Sequence, residues 1–266
     1  MRAEANGLPC HRRLPYALAG IGLYLASLIA TAPAGMMEWM LPRLTNDRIL
    51  LVQPEGGLWQ GKARNMMVKT ADGELKSMGS VNWEVLLLPL LSLELAAKVE
   101  VADGLNNSSG VIAAGFGKLR LSQMRATLPV SLLTEFMPTW QTWRPNGVLK
   151  LSTDEFTFSQ QGVRGAAELE WRNASLGLSQ VKPLGDYKVN IQGDQRIAQI
   201  SVSTISGVLH LVGKGEWSKS DGLSFRGTAL GEPSKKVELR DLLRLLGSEQ
   251  RNDVYQMVIS HVRLRK

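Results

Sequence analysis

From Leu14 to Met37 the chain runs for 24 residues without a charged side chain, LPYALAGIGLYLASLIATAPAGMM, with Arg12 and Arg13 before it and Glu38 after it. As one helix at about 1.5 Å per residue, that stretch would reach roughly 36 Å against a bilayer hydrocarbon core of about 30 Å. A helix buried in a soluble core keeps a polar stripe, and here only Ser27 and Thr31 carry aliphatic hydroxyls. The run therefore predicts a single transmembrane helix over residues 14–37, with Tyr16 and Trp39 where interfacial aromatics gather. Ala32-Pro33-Ala34 imitates a leader-peptidase site, so a cleavable leader is the alternative. An uncleaved anchor is preferred, because the run exceeds the usual apolar leader region of about 7–15 residues and Pro33 lies inside the supposed site. In residues 1–13, Arg2, Arg12 and Arg13 outweigh Glu4, which places that end in the cytoplasm and the rest beyond the membrane. The expected division is a cytoplasmic tail 1–13, a transmembrane helix 14–37 and an exported body 38–266.

The single cysteine, Cys10, falls on the reducing side of that division, and one thiol can build neither a disulfide framework nor a Cys-rich zinc site. A hydrophobic fraction of 44% rules out a broadly disordered chain. The net charge of +7 is modest for 266 residues and does not argue for nucleic acid as a partner.

Past residue 38 the sequence breaks into short runs punctuated by Gly, Asn and Pro, the pattern of an all-β body. Strands are expected at 49–52, 58–63, 92–101, 117–128, 147–158, 165–171, 187–192, 198–204, 208–217 and 223–230, with 254–264 able to return as another. Leu119 and Leu121 alternate with Lys118 and Arg120, and Ala167, Leu169 and Trp171 with Ala166, Glu168 and Glu170. Between Leu149/Leu151 and Phe156/Phe158 the phase slips, which predicts a bulge or bend near Thr153. Residues 83–91, 129–137 and 237–246 read as short helices, the last repeating Leu239, Leu242, Leu243 and Leu246 before Gly247. The expected fold is mainly β: a membrane helix followed by one curved antiparallel sheet, covered on one side by the short helices.

Catalytic constellations are missing from the sequence. His210 and His261 stand without an H-E-x-x-H or a paired carboxylate. Ser179 to Lys182 matches S-x-x-K without the later S-D-N or K-T-G that a penicillin-binding site needs. No nucleophile elbow, phosphate loop or dinucleotide fingerprint occurs, so neither an enzyme nor a cofactor is expected. Trp140 and Trp143, three apart beside Pro145, make a candidate exposed contact patch, with core anchoring as the alternative.

At Gly57-Leu58-Trp59-Gln60-Gly61, Trp171-Arg172-Asn173-Ala174 and Pro183-Leu184-Gly185-Asp186-Tyr187, the chain resembles the type II secretion system protein N family. The order of these elements behind a membrane anchor carries the resemblance over nearly the whole chain. It implies a non-catalytic inner-membrane accessory subunit of the machine that exports folded proteins from the periplasm of a Gram-negative bacterium. The implied partners are other secretion subunits of the inner membrane and periplasm, with membrane lipid around the anchor. Candidate motif or partner positions are Trp59, Gly61, Trp171 and Pro183 to Tyr187, the last five being equally readable as a structural turn. The family also looks like the periplasmic β-sheet proteins related to AsmA, which makes a lipid-binding or lipid-bridging module the alternative function.

Overall fold

The computed structural model describes residues 14–69, 73–104, 106–131, 142–250 and 253–262. Two helices open it, α1 (Leu14–Ala30) and α2 (Gly35–Thr45), and a third, α3 (Lys236–Leu246), lies near its end. Fifteen strands make up the rest: β1 (Ile49–Gly56), β2 (Gln60–Lys69), β3 (Leu75–Ser77), β4 (Ser80–Leu86) and β5 (Glu94–Asp103). β6 (Asn106–Gly115), β7 (Lys118–Pro129), β8 (Pro145–Ser159), β9 (Gly162–Leu176) and β10 (Gly185–Asp194) follow. The last are β11 (Ile197–Gly207), β12 (Leu209–Ser218), β13 (Gly222–Gly231), β14 (Ser248–Glu249) and β15 (Tyr255–Val262). Of the described residues 62% are strand, in one open antiparallel sheet. Spatial order follows chain order from β4 to β13, because each strand turns back on its predecessor; β15 and β14 complete one edge, β1 and β2 the other, and β3 pairs off β2.

Cross-strand pairing separates the faces. Leu151 opposes Leu169, Leu169 opposes Val189, and Val189 opposes Val202, giving an apolar row across four strands. The adjacent rows point the other way and are polar: Arg125 opposes Ser152, Ser152 opposes Glu168, and Glu168 opposes Asn190. Between Ser152 and Phe156 the β8–β9 register shifts by one residue, the bulge expected near Thr153. It returns Phe156 and Phe158 to the face of Leu149 and Leu151, and the Thr153 hydroxyl donates to the Ala166 carbonyl at 2.6 Å.

Two buried clusters hold the ends of the apolar face. One joins Leu239, Leu242 and Leu243 of α3 to Leu184, Leu209, Ala229 and Tyr255. The other joins Ala34 at the entry to α2 with Leu51, Ala63, Val81 and Trp83. The helices thus sit at the two ends of the sheet instead of forming a layer along it. Accessible surface is accordingly 18287 Å², where a compact monomer of 29.2 kDa exposes about 11,500 Å².

Three expectations change. The uncharged run is not one helix: it breaks after Ala30, and among the described residues no helix is long and apolar enough to cross a membrane. The break has a cause, since Pro33 bridges to Gly57, Ala32 accepts from Leu58 N–H at 2.8 Å, and Ala34 N–H donates to Gly56 at 3.0 Å. The helix expected at 83–91 is strand β4 as far as Leu86, with only a 3₁₀ turn at Leu88–Ser92, because Val81, Trp83 and Val85 alternate with Ser80, Asn82 and Glu84. No strand was expected between residues 101 and 117, yet β6 lies there and β5 and β7 pair with it on both sides. Of the helix expected at 129–137, Pro129 ends β7 and residues 132–137 lie outside the described residues.

Candidate functional site

The Gly57 to Gly61 motif forms a clasp between α1 and the sheet. Trp59 Nε1 donates to the Ile29 carbonyl at 2.7 Å, in the last turn of α1, where that carbonyl also accepts the Ala32 N–H at 3.3 Å. Trp83 Nε1 donates to the Leu58 carbonyl at 3.1 Å, so a second indole fixes the same turn from β4. Gly61 makes this possible, because a Cβ there would sit 2.4 Å from Trp83 Cζ2. The described side chains of α1 are exposed: Tyr16 is 78% and Leu23 76% exposed, and Ile21, Tyr24, Leu28 and Ile29 are exposed as well.

The Pro183 to Tyr187 motif is mostly interior. Pro183 follows a cis peptide bond and is exposed. Leu184 is buried, donating its N–H to Ala174 and accepting from Val208 and Leu209. Gly185 has φ +157°, and a Cβ would meet the Ser206 carbonyl at 2.4 Å, so only glycine fits. The Asp186 carboxylate accepts from Asn173 N–H at 2.7 Å, Arg172 Nη1 at 3.1 Å and the Ser206 hydroxyl at 3.4 Å. The Asn173 amide first, then Arg172, hold its carboxyl below the ordinary aspartate value. The Tyr187 hydroxyl donates to the Leu209 carbonyl at 2.9 Å, and burial pushes the phenol above its usual value. Trp171 stands 6.2 Å from the Tyr187 ring and donates Nε1 to the Asn146 carbonyl at 3.0 Å. Of the two readings of this motif, the geometry favours the structural one, because its side chains tie β9, β10, β11 and β12 together. Trp143 is half-buried against the α3 cluster, in a core position and not on an exposed patch; Trp140 lies outside the described residues.

Away from the helices, the polar face forms a concave groove of about 1130 Å³ between β7 and β13. One cross-strand row runs through it: from Asn190 it continues to Ser201, then Lys214, then Arg226. With the Arg125 to Glu168 half, the row crosses seven strands, roughly 29 Å at about 4.8 Å per step. A second row passes through Gln192, Gln199, Glu216 and Ser224. At the β5–β7 end of the same face, Glu94 meets Lys118 at 3.1 Å and Arg120, and the Lys118 hydrogen bond leads in holding its carboxyl below the usual value. Sequence reading placed Lys118, Arg120, Glu168 and Glu170 on the outward parity but did not assemble the groove. Its signal was present in the polar alternation of Lys188, Asn190 and Gln192, but which strands lie together is fixed only by pairing.

Among the described residues no nucleophile–base pair lies along these surfaces. The Ser179 hydroxyl of the S-x-x-K match donates to the Val181 carbonyl and accepts the Val181 amide, within its own turn. Among the described residues no group of three His, Cys, Asp or Glu could hold a metal ion. The arrangement offers fixed hydrogen-bonding and charged side chains to a partner.

No curated protein and no solved structure matches the chain. The sequence profile of the type II secretion system protein N family matches residues 47–258, from the turn before β1 into β15 and so well over half of the 266 residues. On that match, the chain belongs to the type II secretion system protein N family.

Proposed function

We propose that this secretion-system subunit works without catalysis, as an assembly or stabilising part of the machine. It sits at the inner membrane with residues 1–13 in the cytoplasm and the sheet in the periplasm. The observation that carries this reading is the clasp: an uncharged helix, bare of protein on its exposed side chains, is fixed by Trp59 to the edge of a sheet whose outer face is polar. Apolar side chains left in water on this scale require a cover, and lipid around α1, flanked by Arg12 and Arg13, supplies one. Other subunits of the inner membrane and periplasm then meet the polar face, whose mixed charges and amides suit a docking surface. Nucleic acid has no place in this reading.

Deleting the gene tests it. Exoprotein should fall in the medium and accumulate folded in the periplasm, and alkaline phosphatase fused after Lys266 should be active. Normal secretion in the deletion strain, or an inactive fusion, contradicts the proposal. A second reading, a lipid-binding module, is favoured by one feature: the apolar rows through Leu151, Leu169, Val189 and Val202 stay half-buried between the helix-covered ends. Stoichiometric lipid on the purified protein, together with normal secretion without it, would select that reading.

A further inference from the structure

Within the polar groove one pair of side chains is out of balance. Lys214 on β12 stands directly opposite Arg226 on β13, and like charges opposed across a ladder repel. Several other cations on this face are matched: Lys188 meets Glu168 at 2.8 Å, Lys118 meets Glu94 at 3.1 Å, and Arg125 meets Asp154 at 3.6 Å, while Lys150 and Arg164 have no ion pair among the described residues but are not set opposite a second cation. Lys214 and Arg226 have no ion pair among the described residues, and Glu216, the next residue on that face of β12, bonds to neither. Around them the groove presents uncharged donors and acceptors, Asn190, Gln199, Ser201 and Ser224.

The lining narrows the class of occupant. None of the lining residues is aromatic, so sugar rings would find no stacking surface. Most apolar side chains of these strands face the opposite way, and the exceptions, such as Ile197 on β11 and Val212 on β12, stand far apart, which leaves no continuous bed for acyl chains. What fits is an extended chain with carboxylates for the two cations and backbone amides for the Asn, Gln and Ser side chains. We propose that the groove docks an acidic, extended segment of a partner protein, which lies across β9 to β13 and seats carboxylates on Lys214 and Arg226. This rests on the docking reading above and deepens it by naming the surface and the charge of the partner.

The probe is a fluorescent peptide of alternating Glu and Ser, about six residues long, enough to span the roughly 19 Å from β9 to β13 when extended. It is titrated by anisotropy against the full-length protein in neutral detergent. Binding is expected, and K214E/R226E should weaken it at least about tenfold, with an unchanged circular dichroism spectrum because both side chains are exposed. A Lys/Ser peptide should bind the K214E/R226E protein better than the native one, a charge swap that a mere fold defect would not produce. K235E, on the helix side of the sheet, should leave Glu/Ser binding as it was. Equal binding to native and K214E/R226E protein overturns the proposal, as does failure to bind while anionic phosphatidylglycerol vesicles bind through the same two cations. Secretion separates the two levels: if deletion blocks export and K214E/R226E restores it fully, the groove proposal alone falls. If deletion leaves export intact, the underlying docking reading falls.

Discussion

The carboxylate of Asp186 on β10 holds Asn173 and Arg172 of β9 and Ser206 of β11 at once, so its loss should loosen three strands. D186N keeps the shape and removes the charge, and should cost about 1–3 kcal/mol in urea unfolding at neutral pH. Because its folded pKa is lowered, this stabilisation is present above the unfolded value of about 4 and fades as pH falls through the folded one. The difference between wild type and D186N should therefore shrink on acidification; a constant difference down to the acid limit would show that the charge is not what matters. At the other motif, G61A should destabilise by about 1–3 kcal/mol, since its Cβ collides with Trp83 and with the Glu55 and Gly57 carbonyls. A neutral G61A would mean that the Trp83 slot is not tightly packed. Both motifs were legible in the sequence as short strings. What they do was not, because Trp83, which explains Gly61, lies 22 residues further on in a stretch whose leucines suggested a helix.

α3 was readable in advance from its leucine spacing, and burial follows that spacing: Leu239, Leu242 and Leu243 are inside, while Val237 and Leu245 are exposed. L242A should cost about 2–5 kcal/mol and V237S should stay within about 0.5 kcal/mol, read from thermal or urea midpoints. Equal effects would mean that α3 does not pack on β13 and β15 as described. The same periodicity argument gave the β8 bulge, because a phase slip is local information. It failed for residues 14–37 because apolarity has two sources there. Leu14 to Ala30 is helix, whereas Ala32 and Ala34 are apolar because they are packed against the β1–β2 turn at 6% and 1% exposure. No count of uncharged residues can separate these contributions; only the contact with Gly56 to Leu58 does. β6 escaped for a related reason, since Asn106 to Gly115 takes its strand conformation from the ladders on both sides and not from β-branched side chains.

At the scale of the molecule, the proposed function assigns the sheet's exposed polar face to other subunits and the exposed apolar side chains of α1 to lipid. If the helix is an anchor, it must be retained. Cleavage after Ala34 would strip Ala32 and Ala34 from the core along with their bonds to the β1–β2 turn, so N-terminal sequencing of the membrane-bound protein should find a start upstream of Ala32, and a start at Gly35 would contradict that. On the proposed reading, the helix, joined to the sheet by Trp59, would give the polar face a fixed position relative to the membrane, from which other subunits could be held. The most direct measurement of this claim is exoprotein distribution in a strain whose only copy lacks residues 1–30 and reaches the periplasm on a cleavable leader. The account predicts a folded, strand-rich periplasmic domain, with exoprotein trapped in the periplasm because the sheet is no longer tethered. Full release of exoprotein into the medium by that strain would contradict it.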